Sequence, residues 1–195
     1  IFREHLEIPY FRGNAPVCSP ARFTIISGMY ASSAGTHNMR STNKIPENIR
    51  FYPEYLREAG YYCTNNSKTD YNCTGYGDLW DESSRKAHYK NRKPGQPFFA
   101  IFNLTITHES QIHRYDTNKL IHNPSKMELP PYHPDLPEIR NDWARLYDNI
   151  TTMDKQAGDL LKELEQSGLK DSTIVFFYGD HGGVLPRSKR FIFNT

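Results

Sequence analysis

The hydrophobic positions of this chain form short unbroken runs in some places and a helical stripe in another. Pro97-Phe98-Phe99-Ala100-Ile101-Phe102-Asn103-Leu104 is nearly continuous in apolar character, which predicts a strand covered on both faces. Ser172-Thr173-Ile174-Val175-Phe176-Phe177-Tyr178 predicts a second buried strand and Tyr61-Tyr62-Cys63-Thr64 a third. From Pro137 to Ser167, Ile139, Trp143, Leu146, Ile150, Met153, Ala157, Leu160, Leu161 and Leu164 recur at three- and four-residue steps. That spacing places one apolar stripe along a long helix and reads as core. Pro137 suits its first turn and Gly168 its C′ position. Shorter helices are predicted over Pro53 to Gly60, and over Ala21 to Met29 with Pro20 in the first turn. Residues 31–48 and 75–95 are polar and irregular, with Trp80 as the anchor of the second stretch, and 111–136 is a long Pro-rich loop.

Helix followed by strand, twice over, argues a sheet with helices packed on it. Each predicted strand runs into polar, ionisable residues: Lys68 and Asp70, then His108, then Asp180 and His181. Open α/β sheets present their functional groups at strand C-termini.

Composition narrows the reading. The mean hydropathy is −0.74, and the 13% aromatic content offsets part of the low apolar fraction of 37%. A net charge of +2, with bases scattered among acids, argues against a general nucleic-acid binder. No apolar run reaches the length of a membrane span. The chain opens on Ile1 without Met and stops in the apolar Phe191-Ile192-Phe193, so it is read as a piece truncated at both ends. The three cysteines, Cys18, Cys63 and Cys73, allow at most one bridge; Cys63–Cys73 as a short-loop disulfide and two free thiols both stay open. Asn-x-Ser/Thr triplets begin at Asn65, Asn72, Asn103 and Asn149.

The densest candidate chemistry is Cys18-Ser19-Pro20-Ala21-Arg22, at the mouth of a predicted helix whose free N–H groups favour an anion. A carboxylate beside an imidazole, Asp180 and His181, can bind a divalent cation. Arg22, Lys68 and Lys189 supply positive charge for a tetrahedral anion. The composite describes hydrolysis or transfer at sulfur or phosphorus.

Cys18-x-Pro20-x-Arg22 resembles the signature of type I sulfatases. Gly60 to Lys68, Asn103 to His108 and Tyr178-Gly179-Asp180-His181-Gly182 resemble that family's other active-site blocks, in the same order. Pro130-Pro131-Tyr132-His133-Pro134-Asp135-Leu136-Pro137 is similar, more weakly, to heparan N-sulfatases. The resemblance implies a mixed, mostly parallel central sheet sandwiched by helices, as in alkaline-phosphatase-like enzymes, with residues 1–195 forming part of an N-terminal catalytic domain. It implies oxidation of Cys18 to formylglycine by a formylglycine-generating or equivalent maturation enzyme. It implies one Ca2+ ion held by Asp180, His181 and the residue-18 oxygen. Arg22 would position the hydrated aldehyde, Lys68 and Lys189 would bind sulfate, and His108 would protonate the leaving group. The implied substrate is a sulfated carbohydrate, and the implied location is periplasmic, secreted or lysosomal.

Three positions depart from the family pattern. Nothing before Cys18 supplies the Asp-Asp pair that completes the family's metal site. Asp70 stands where many relatives have His, as base or as orienting group. His181 stands where Asn is common, and imidazole is a softer ligand than an amide oxygen. Two rival readings remain: a phosphonate monoester or phosphodiester hydrolase of the same superfamily, and a non-catalytic binding module with unmodified Cys18.

Overall fold

The computed structural model describes residues 15–112 and 120–185. They divide into two compact units, one holding residues 15–103 and 178–185, the other residues 104–112 and 120–177.

The first unit is an α/β layer structure. Its helices are α1 (Cys18–Ser27) and α2 (Tyr52–Glu58), and its strands are β1 (Tyr62–Asn66), β2 (Glu82–Ser83) and β3 (Phe98–Phe102). The three strands form one parallel sheet in the order β2-β1-β3, with Cys63 opposite Phe99 and Asn65 opposite Ile101. Alternation along the strands therefore puts Cys63, Asn65, Phe99 and Ile101 on one face. That face meets Phe23 and Ile26 of α1, Phe51 and Leu56 at α2, and Tyr71, Leu79 and Trp80 in one apolar core. Phe51 is its aromatic hub, edge-on to Phe23 at 6.2 Å and to Tyr71 at 6.1 Å. The opposite face is covered by the 85–92 segment. Tyr89 stacks on Phe98 at 4.6 Å, and the Asn66 amide donates to the carbonyls of Arg85 and Ala87. Trp80 is an anchor of the irregular stretch, as its sequence position predicts, and Tyr89 is a second one.

Helix ends follow local chemistry. Gly28 caps α1 in the left-handed conformation (φ 70°), donating to Thr24 O at 2.9 Å. At α2, the Glu54 carboxylate accepts the Phe51 N–H at 2.8 Å.

In the second unit, α3 (Pro137–Gln166) closes with a Schellman pattern: Gly168 N–H reaches Glu165 O and Leu169 N–H reaches Leu164 O. Ala144, Ala157 and Leu164 of its apolar stripe are buried, while Ile150 stays exposed. Asp148 pins residues 121–122 to the helix: it accepts from Ile121 N, His122 N and His122 Nδ1.

Several sequence expectations are corrected. Ser172 to Tyr178 is not a buried strand. It runs without a ladder partner among the described residues, with Ile174 82% and Phe176 77% exposed. An extended run becomes a strand only when another backbone meets its N–H and C=O groups. Cys63 and Cys73 do not bridge; all three cysteines are free and buried. The first helix spans Cys18–Ser27, starting earlier than the predicted Ala21 and leaving Cys18 at its N-terminus as expected. The triplets at Asn65 and Asn72 are not glycan acceptors in this fold, because both side chains are buried and bonded inside the protein.

Candidate active site

The spacing of Cys18 and Arg22 acquires its meaning from α1. Residues four apart in a helix lie one above the other on the same face. Cys18 occupies the first helical position after Val17, where backbone N–H groups lack helical partners. Arg22 sits one turn later. Its Nε donates to Thr69 O at 2.8 Å and its Nη2 to Lys68 O at 2.5 Å. The guanidinium thus grips the loop that leaves the C-terminal end of β1, and that grip fixes the backbone from which Lys68 projects.

Asp180 joins the two cations. Its Oδ2 lies 3.9 Å from Arg22 Nη1 and 4.0 Å from Lys68 Nζ. His181 follows, with Nε2 3.6 Å from Asp180 Oδ1 and Nδ1 2.7 Å from Gly182 O. Four sequence-predicted residues from three segments (Arg22, Lys68, Asp180 and His181) are therefore gathered at one place, beyond the C-terminal end of β1.

Asp70 has a different position from a solvent-facing base. Its Oδ1 accepts a 2.6 Å hydrogen bond from Ser19 Oγ, whose residue is fully buried next to Cys18. The same oxygen faces Arg40 Nη1 at 3.5 Å. Arg40, Asp70 and Asn72 all have positive φ, at 64°, 54° and 58°. Asn72 locks the two loops together: its Oδ1 accepts Ser41 N–H, and its Nδ2 donates to Thr36 O and Asn38 O. Ser19, Arg40 and Asn72 were not among the sequence-predicted site residues. Arg40 lies in the polar, irregular 31–48 stretch, which carried no site signal of its own.

His108 belongs to the other unit and is described by itself. Its Nδ1 lies 3.2 Å from the Ser110 N–H and 3.0 Å from Ser110 Oγ, contacts that orient the ring. Lys189 lies outside the described residues.

The other two thiols are separate from this chemistry. Burial pushes Cys63 up to about 12 and Cys73 up to about 11, so both stay protonated and inert. A cleft of about 510 Å³ opens at Gly60, Tyr61 and Gln96, before β1 and β3 begin. Its charges are paired with one another, Arg50 with Glu58 and Arg57 with Asp81, at the end of the sheet opposite the site.

Asp180 and His181 are the donors on offer to a metal. Among the described residues, no group of three or more His, Cys, Asp and Glu side chains is arranged to hold an ion. Ca2+ takes six to eight oxygen ligands. One carboxylate and one imidazole do not make that cage by themselves.

The described groups bring two cations, Arg22 and Lys68, to one anionic position, next to the residue that opens α1. Comparison with known proteins agrees with that chemistry. The family model described as Sulfatase matches residues 3–191. An ulvan-active sulfatase from Formosa agariphila is 38% identical over 240 residues, covering 99% of this chain and 40% of that protein. A second protein from the same organism, described as a sulfatase, is 33% identical over 75 residues, covering 35% of this chain and 15% of its own length. The chain therefore spans well under half the length of the relatives it matches, and by the match along nearly all of its residues it belongs to the sulfatase family.

Proposed function

We propose that this chain carries the nucleophile and sulfate-binding cations of a sulfuric ester hydrolase acting on a sulfated carbohydrate. The observation that carries the reading is the convergence of Arg22 and Lys68 on Asp180, one helical turn from Cys18. One relative is named for activity on ulvan, and a sulfated saccharide suits a cationic site.

The reading requires oxidation of the Cys18 thiol to an aldehyde by a maturation enzyme. A thiol would form a thiosulfate with no second hydroxyl to release it. The hydrated aldehyde has two. One attacks sulfur and gives its proton to solvent water; the S–O bond to the sugar breaks, its electron pair leaves with the sugar oxygen, and the His108 imidazolium gives that oxygen its Nε2 proton. The second hydroxyl then gives its proton to solvent water, the C=O bond reforms, sulfate departs with the electrons of the C–O bond, and His108 takes a proton back from solvent. Water rehydrates the aldehyde. Arg22 orients the diol, while Lys68 and Lys189 neutralise the sulfate oxygens. A bound Ca2+, to which Asp180 and His181 contribute, would supply Lewis-acid stabilisation. The enzyme works in a periplasmic, secreted or lysosomal setting.

Mass spectrometry of the Cys18 peptide from the native host tests the nucleophile. Formylglycine is expected; an intact thiol in active protein overturns the scheme. Cys18→Ala abolishes turnover and leaves the denaturation midpoint nearly unchanged. Paired assays of an aryl sulfate and a phosphodiester with the complete protein test the bond cleaved, with faster sulfate hydrolysis expected.

A further inference from the structure

Arg40 is held in place in a way that stability does not explain. It is 77% exposed, and its ion pair is a single long contact, 3.5 Å from Asp70 Oδ1. An exposed pair of this kind contributes about 0–1 kcal/mol. The backbone there is left-handed, φ 64°, a conformation costly for a residue with a Cβ. Gly or Asn would suit that backbone better, so what is gained is the guanidinium and its location.

That location is well defined. The Asn72 side chain bonds Thr36, Asn38 and Ser41, which bracket Arg40, to the loop that carries Lys68 and Asp70. Asp70 in turn bonds Ser19, beside Cys18. One carboxylate therefore separates the Arg40 guanidinium from the opening turn of α1. Asp70 spends Oδ1 on Ser19 as well as on Arg40, so it offsets the arginine only in part. Arg40 has five N–H donors in a planar fork that matches a carboxylate or a sulfate. Arg22 and Lys68 converge at the Asp180 position, where the reading above places the scissile sulfate, so both are taken up there. A second anion on the substrate would meet Arg40 instead.

We infer that Arg40 is a specificity residue that binds a second anionic group of the substrate, a carboxylate or a further sulfate on the sulfated saccharide. This rests on the sulfatase reading above. It makes Arg22 and Lys68 the cations for the scissile sulfate and Arg40 the cation that distinguishes a multiply acidic saccharide from a singly charged ester.

The test compares Arg40→Asn with wild type in the complete, matured protein. Asn tolerates the left-handed backbone, so the loop is kept while the charge is lost. Three substrates are used: an aryl sulfate with one anion, a sulfated disaccharide bearing a uronate, and a disulfated disaccharide without a carboxylate. The expected result is a fall of at least tenfold in kcat/KM for one or both acidic disaccharides relative to the aryl sulfate, carried by KM. Arg40→Lys recovers part of it. A fall confined to the uronate identifies the carboxylate as the ligand, and one confined to the disulfated sugar identifies the sulfate. An equal fall for all three substrates, or no change in any, overturns the inference while leaving the sulfatase reading standing. A wild-type protein that hydrolyses none of the three fails the sulfatase reading, and this inference with it.

Discussion

Asp70 shows what one side chain gains from its surroundings. In the sequence it stands two residues after Lys68, with base and orienting roles both open. In the fold its carboxylate accepts the Ser19 hydroxyl at 2.6 Å and faces Arg40. We propose that a carboxylate so occupied acts through Ser19, holding the turn that presents Cys18, as a positioning residue. Asp70→Asn keeps the shape but weakens the acceptor. The expected outcome is a roughly tenfold loss of kcat with KM little changed, of the size of one hydrogen bond to a charged group, about 1.5–3 kcal/mol at most. Steady-state kinetics across pH separates the roles: a positioning residue leaves the acidic limb of the kcat profile where it was, whereas loss of a general base removes it. The Cys18–Arg22 pairing was legible beforehand because helical period alone puts the two residues on one face. The Ser19–Asp70–Arg40 contact was not, because it depends on positive φ at Arg40 and Asp70, and neither residue type announces that conformation.

At the scale of elements, Asn72 is the clasp between two loops. It makes three hydrogen bonds to backbone groups and is buried. Asn72→Gly keeps the backbone freedom that φ 58° requires and removes those bonds, so it measures the clasp by itself. At about 1 kcal/mol for each bond, with backbone partners left unsatisfied, the loss is about 2–4 kcal/mol in urea denaturation. Asn72→Ala costs about 1 kcal/mol more, for the left-handed backbone. Equal midpoints for wild type and Asn72→Gly would show that water replaces the clasp. The element that sequence reading misplaced, Ser172 to Tyr178, teaches the complementary lesson. Its apolar, β-branched and aromatic composition is right for a strand, yet a ladder also needs a neighbour, which periodicity cannot supply. β1 and β3 were legible because their apolar runs pair with each other. In the 195-residue chain, chymotrypsin is expected to cut first at Phe176 or Tyr178, which stand 77% and 51% exposed on extended backbone. First cuts inside β3 would contradict this.

Across the molecule, the core behind the site has an unusual dependence on protonation. Much of its buried surface comes from residues that can ionise: Cys63, Cys73 and Tyr71 in the cluster, with Tyr52 packed against it. Composition showed the aromatic surplus, and the structure shows where it went. Burial raises all four above their ordinary values, Cys63 and Tyr71 to about 12 and Cys73 to about 11, and Tyr52 in the same direction. The indole N–H of Trp80 donates to the Tyr71 oxygen at 3.1 Å, and this bond offsets part of the Tyr71 shift. The sign follows from linkage. Each group is neutral in the fold at a pH where the unfolded chain would already release its proton, so unfolding is driven by proton release. Stability from these groups is fully present below about pH 8.5, the ordinary value of an unfolded thiol. It is lost progressively as pH rises through the folded values near 11 and 12. The urea midpoint is therefore expected to hold level from pH 7 to about 8.5 and then fall steadily to pH 11. Tyrosinate absorbance of the native protein should lag that of the urea-unfolded chain over the same range, because Tyr52 and Tyr71 titrate only as the core opens. Alkylation gives a third view: Cys63 and Cys73 stay unlabelled in native protein at pH 8 and react once it is unfolded. A midpoint that does not move between pH 8 and 11 would mean that these groups already reach water in the fold, and would remove the link between this core and base lability.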